Sequence, residues 1–323
     1  MCGLNNQSSP HMLSLAEEPP LNWSAVDFWF DKIAARKDIK FCRWASVRLS
    51  KDTTEMFIYY LLAGLPGNKY LMKPLISSAN GLSIIQVVSL MLAIVGINYF
   101  YFTPWHVLLI FVGYFMMAVL GISITYHRYY SHRSFEFKYS WMKHLFTFFG
   151  ILAGRGSPLG WSYVHRLHHR FVDSPKDPHY MGAHGWKVII PSFMQYGARI
   201  SKRYIKDLLT SYHIRINEYY SAIIILWAAL LGMIDINLLY FFYIIPLVAT
   251  FVSLNLFVLL THTHGYRLHD TNDLSRNNWL VSVLLFGEGW HNRHHHDSSL
   301  SNLKVKWWEL DICGNIIGMI KRD

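Results

Sequence analysis

The sequence predicts an all-α, polytopic membrane protein with four transmembrane helices. Two observations carry this. Of the 323 residues, 52% are hydrophobic and only 15% charged, and the apolar residues are concentrated in long runs rather than spread along the chain. The basic residues are also distributed unevenly. The segment from His127 to Glu218 holds fourteen Lys and Arg, whereas the short turns Asn98–Trp105 and Asp235–Asn237 hold none. Lys and Arg stay on the cytosolic side. Both short turns are therefore expected outside, with the long segment and both termini in the cytosol.

Taken in order, residues 1–80 form an N-terminal extension. Its first twenty residues carry Asn, Ser, Pro and Glu and no signal-peptide pattern. Trp23–Ala35 alternates apolar and charged residues and fits an amphipathic helix on the bilayer or a plain surface helix. Met56–Leu65 is apolar but too short to span. The remaining domain, 81–323, contains expected spans at 82–101, 107–126, 219–234 and 238–261, each about the length needed to cross hydrocarbon. Aromatic residues gather at the span ends, among them Tyr99, Tyr101, Trp105, Tyr219 and Tyr240, as at a lipid–water boundary.

The net charge of +10 with neutral histidines comes without a recognisable nucleic-acid module. It is better matched to anionic membrane lipid and to an acidic redox partner. Cys2, Cys42 and Cys313 form no CxxC and suggest no disulfide framework, in keeping with a reducing cytosolic face.

Histidine spacing is the sharpest local signal. His165, His168 and His169 lie at i, i+3 and i+4, and His291, His294 and His295 repeat that spacing. On a helix each trio falls on one side. His127 and His132 form a third cluster. The topology drawn from hydropathy and Lys/Arg counts sends all three clusters to the same membrane face. His262 joins them at the cytosolic end of the fourth span, where a polar group is costly unless paired or functional; a headgroup-level helix cap is the alternative. His264, His269 and His296 fall outside the repeated spacing. Imidazole suits zinc, copper, iron and nickel, and so many nitrogen ligands exceed what one ion holds. Two metals are implied. A structural zinc would use four ligands and usually recruit Cys. A dinuclear iron site with open positions, next to a membrane-buried channel, suits oxidation of an unactivated C–H bond in a lipid.

The segments His127-Arg-Tyr-Tyr-Ser-His132, His165-Arg-Leu-His-His169 with Asp177-Pro178-His179, and Gly287-Glu-Gly-Trp-His291-Asn-Arg-His-His295 resemble the three histidine boxes of the membrane fatty acyl desaturases. Order and spacing resemble the delta-9, stearoyl-CoA-desaturase-like branch over roughly 82–312. Asp270–Trp279 and the tail Lys306–Asp311 are more similar to bacterial and plant members. The resemblance implies a four-span membrane domain with a helical cytosolic cap holding a dinuclear metal site, two iron ions, molecular oxygen, two external electrons per turnover and a bent acyl tunnel. It implies His127, His132, His165, His168, His169, His262, His291, His294 and His295 as ligands. Asp173, Asp177 and Glu288 resemble carboxylates that orient ligand imidazoles, with surface carboxylates or helix caps as the alternative. The implied product is a cis double bond, delta-9, in a saturated acyl chain.

Three departures from the family pattern stand out. Without an attached cytochrome b5-like segment, the electron donor is expected to be a separate ferredoxin or cytochrome b5. Tyr163 and Val164 replace an Arg-Asp pair that helps hold CoA in animal members. Acyl-lipid, acyl-CoA and acyl-carrier-protein substrates therefore all stay open. Val258 stands where the family has an Asn that holds a metal-bound water, and Asn255 lies on the same face about one turn deeper. Asn255 either makes an ordinary interhelical hydrogen bond or replaces that Asn through a water chain. Two rival functions are a hydroxylase on the same scaffold and a metal transporter. Transport would place ionisable residues at mid-membrane, and the expected spans are nearly free of them.

Overall fold

The computed structural model describes residues 79–180 and 202–322. The readings made above for Trp23–Ala35 and Met56–Leu65 lie outside those residues. Among the described residues the chain is helical, and its β pairing is limited to three isolated bridges. The first helix, α1, spans Ala79–Gly96. It ends five residues before the expected boundary of 101, in a turn at Ile97–Tyr99 where the Tyr99 and Phe100 amides bond to Gly96 O. Phe100 then stacks on Tyr240 at 4.2 Å.

Helix α2 spans Pro104–Ser131. It begins three residues earlier than expected, because Thr103 is extended and Pro104 supplies a pre-set first helical position. From Phe115 to Ser131 the hydrogen bonding widens from i→i+4 to i→i+5. The widening explains the five-residue spacing of the first histidine cluster. On an α-helix, five steps of about 100° would leave His127 and His132 about 140° apart. On the widened turn their rings come within 5.0 Å. His127 is thus part of α2 itself, and His132 caps it.

Helices α3 (Ser140–Leu152) and α4 (Pro158–Phe171) follow. A Cβ at Gly121 would collide with the Gly150 backbone, so α2 and α3 cross in direct main-chain contact. Helix α4 starts on Ser157, whose hydroxyl accepts from the Gly160 amide, with Pro158 behind it. Helix α5 spans Ser211–Ile234 and begins eight residues before the expected 219, because Thr210 caps it and polar residues fill its first turns. Helix α6, Leu238–Thr263, carries His262 in its last turn. Helices α2, α5 and α6 are each long and apolar enough to cross a membrane; α1 has a shorter apolar stretch, Ile84–Gly96. Two short helices, α7 (Trp279–Leu284) and α8 (His291–His296), and the amphipathic α9 (Ile312–Ile320) complete the order.

The buried core joins α2 to the others. Tyr126, Ile122 and Met117 pack with Ile151, Leu159, Tyr243 and Leu247, while Val119 and Ile124 pack on the other side against Cys313 and Ile317. The far ends of α2 and α6, the helix α4 and the short α8 thereby meet at one end of the bundle.

Candidate metal centre

Nine histidines meet there in two groups. His127, His132, His165, His169 and His294 form one, and His168, His262, His291 and His295 the other; within each group the candidate ligand atoms all lie within 4.8 Å of one another. Helical geometry accounts for the partition. On α4, His165 and His169 are about 40° apart, whereas His168 is offset by about 60° from His165 the other way. The i and i+4 positions therefore serve the five-histidine group and i+3 reaches the other. On α8 the assignment is reversed: His291 and His295 serve the four-histidine group, and His294 crosses over. The groups are adjacent, with His169 and His295 rings 4.5 Å apart.

Four carboxylates orient the rings. Glu288 lies 2.7 Å from His127 Nδ1, Asp177 3.0 Å from His168 Nδ1, Asp173 3.2 Å from His262 Nδ1 and Asp273 2.9 Å from His295 Nδ1. An ionised carboxylate only accepts, so each Nδ1 carries the proton and each Nε2 presents a lone pair. Sequence reading singled out the first three of these acids and missed Asp273. It sits in the loop between α6 and α7, 22 residues from His295, with no spacing rule to link them. Its signal was local: Thr271 and Ser275 hydroxyls and the Ser275 amide all donate to Asp273 Oδ1, the signature of an ordered polar turn.

Electrostatics favour neutral imidazoles. Burial, followed by mutual repulsion, pushes His132, His165, His168, His169, His291 and His294 well below the usual histidine range. Burial pushes the Glu288 carboxyl up, but the Arg128 guanidinium and His127 outweigh it and hold it down at about 2. Neutral nitrogen is the form that binds a metal.

The donor set fits metal ions. His262 Nε2 faces His291 Nε2 at 3.0 Å, and His127 Nε2 faces His294 Nε2 at 3.1 Å. With Nδ1 protonated on His127 and His262, each contact brings an Nε2 lone pair toward another ring nitrogen, an arrangement that a shared cation stabilises. His295 Nε2 and His291 Nδ1 are buried without a hydrogen-bond partner. Orphaned buried nitrogens are costly in an ordinary core.

Beneath the two groups lies a cavity. His165, His168 and His262 line one part of its wall and Ile122, Leu254 and Phe257 another. Val258 also lines it, and Asn255 does not. The Asn255 amide oxygen instead accepts from Arg155 Nη1 at 3.1 Å. His269 and His296 stack on each other at 4.0 Å, outside both groups. His179 touches the cavity, its ring 5.4 Å from His168.

Asp273→Asn is expected to lower the metal affinity of the four-histidine group by about 10- to 100-fold, the usual consequence of losing a carboxylate behind a ligand imidazole. Competition with a calibrated chelator measures it. An unchanged affinity would mean that Asp273 only orders its loop.

The family model for fatty acid desaturase matches residues 103–317. The chain is 30% identical over 230 residues to delta-9 acyl-lipid desaturase 1 of Arabidopsis thaliana, covering 67% of this chain and 73% of that protein. It is 34% identical over 214 residues to the sn-1 stearoyl-lipid 9-desaturase of Synechocystis sp., covering 62% and 64%. An acyl-CoA 5-desaturase of Anemone leveillei is 31% identical over 214 residues, covering 64% and 66%.

Proposed function

We propose that this chain, which belongs to the fatty acid desaturase family and is an oxidoreductase, introduces a cis double bond at the delta-9 position of an acyl-lipid. The observation that carries the reading is the pair of histidine groups with carboxylate-set tautomers at a cavity whose wall away from the histidines includes Ile122, Leu254 and Phe257. The five-histidine and four-histidine groups would each hold one iron ion. When bound, the irons supply activation of molecular oxygen and removal of hydrogen from the acyl chain. The protein does the rest. Glu288, Asp177, Asp173 and Asp273 keep Nε2 of their imidazoles free and aimed. Apolar residues such as Ile122, Leu254 and Phe257 keep the chain dry and place one stretch of it beneath the histidines.

The head-group choice is supported from two sides. Tyr163 and Val164, in place of the Arg-Asp pair, are 8% and 5% exposed, so neither is available to grip a CoA head. Two relatives carry acyl-lipid in their names and two more carry stearoyl-lipid. Double-bond position varies among the relatives, one of which is named a 5-desaturase and another a delta-7 desaturase, and delta-9 is the commonest in those names. We place α1, α2, α5 and α6 as four spans. The histidines and both termini then face the cytosol, the side that the Lys and Arg of residues 127–218 favour. A ferredoxin or cytochrome b5 on that side supplies the electrons.

Expression in a desaturase-deficient host, with fatty-acid analysis that locates the double bond in each lipid class, tests this. The expected product is a delta-9 monoene in membrane lipid. A hydroxy fatty acid, or no new acyl product from metal-loaded protein, would overturn the reading.

A further inference from the structure

Residues 304–308, Lys-Val-Lys-Trp-Trp, are all exposed, with Trp307 at 88% and Trp308 at 44%. The two carboxylates that follow are turned inward. Glu309 is 2% exposed and accepts from the Tyr266 hydroxyl and from the Val305 and Lys306 amides. Asp311 is wholly buried against Arg128. The segment thus shows its positive charges to solvent and hides its negative ones. Lys306 Nζ rests over the Tyr266 and Trp308 rings at 4.8 and 5.4 Å, which holds the ammonium beside the aromatic surface.

Behind this face an aromatic path runs inward. Trp308 meets Trp290 edge to face at 5.6 Å. Trp290 is 3% exposed, and its indole N–H donates to Leu310 O at 3.0 Å, which fixes the ring. Trp290 precedes α8, and the next residue is His291 of the four-histidine group. Two indoles therefore connect an exposed, positive, aromatic surface to the candidate metal centre.

We propose that the 304–308 face docks an acidic one-electron carrier protein, and that Trp308 and Trp290 form its electron-transfer path to the metal pair. The inference rests on the desaturase reading and names the partner of that site. Each encounter oxidises the carrier by one electron and reduces the metal pair by one. Two encounters, two protons from solvent and the two hydrogens removed from the acyl chain reduce one O2 to two waters, leaving the double bond. Exposed tryptophan is a preferred anchor at transient interfaces, and charge complementarity steers such encounters.

The test uses the full metal-loaded chain in nanodiscs of zwitterionic lipid, so that lipid charge plays no part. The probes are a soluble cytochrome b5 haem domain and a plant-type ferredoxin, both acidic. Binding is measured at low and at physiological ionic strength. Dithionite-driven product formation serves as the reference for folding and metal loading in every variant. At least one carrier should bind the parent, and K304E/K306E should weaken that binding by about tenfold or more and flatten its salt dependence. At saturating carrier, Trp308→Leu should lower the ratio of carrier-driven to dithionite-driven turnover by about tenfold, whatever its effect on carrier affinity. The proposal is overturned if neither carrier binds the parent or if the double variant binds as the parent does. It is also overturned if a nitroxide at Trp307→Cys reports hydrocarbon rather than water, which would make this face a bilayer contact. If carriers bind as expected but dithionite yields no double bond, the desaturase reading fails and the docking surface stands.

Discussion

His168→Ala and His294→Ala are each expected to abolish double-bond formation while leaving the protein in the membrane. The two residues represent the two groups. His168 lies in the four-histidine group, with Nδ1 fixed by Asp177. His294 lies at the middle of the other, its Nε2 3.1 Å from His127 Nε2 and 3.0 Å from His169 Nε2. Losing a partner behind a ligand already costs about 10- to 100-fold, so losing a ligand should cost more than about 100-fold in turnover. Membrane insertion rests on the apolar helices and is independent of either ring. His296→Ala, outside both groups, is the control and should stay within about twofold of the parent, as expected for a surface substitution. Fatty-acid profiles normalised to membrane protein give the result. Near-parental product from His168→Ala or His294→Ala would remove these residues from the site.

Arg128→Leu should be the most damaging single change to stability. The guanidinium is 1% exposed and lies between Glu288, at 3.0 Å, and Asp311, at 2.9 Å, while also donating to Ser301 O. Removing it leaves two buried carboxylates without their cation, at a cost of about 3–5 kcal/mol. The effect spreads along the chain. Glu288 orients His127, and Asp311 caps α9 through the Gly314 amide and holds the Leu303 amide. Gly287, at φ +120°, packs so tightly on Asp311 that a Cβ there would collide with it. One network therefore ties the end of α2, the turn before α8 and the C-terminal helix together. Arg133→Ala makes the comparison: its side chain is 60% exposed and its pair with Asp207 is a surface pair, so it should cost less than about 1 kcal/mol. Thermal unfolding in detergent, followed by loss of soluble protein, separates the two. Equal midpoints would show that the Arg128 network contributes nothing.

What the sequence made legible was what repeats or has a length. The nine histidines announce themselves by two copies of one spacing, a third pair and a span terminus, and the structure brings all nine together. The helices α2, α5 and α6 follow from apolar length. Three features were not legible, for identifiable reasons. The i→i+5 widening of α2 occurs where α3 and α4 pack along it, and no propensity rule encodes it. Asp273 is paired with His295 across a loop, where contact is set by the fold rather than by register. Arg128 reads in sequence as one more cytosolic cation, although it is among the most buried side chains described. Asn255 shows a subtler limit. Its helical face was readable, but its amide bonds to Arg155 from a different loop.

The central claim is that the two histidine groups hold two irons. Protein produced with iron under reducing conditions and shown to form product should contain two iron atoms per chain by elemental analysis, as two nitrogen-rich donor groups require. An active sample with one iron per chain would contradict the claim.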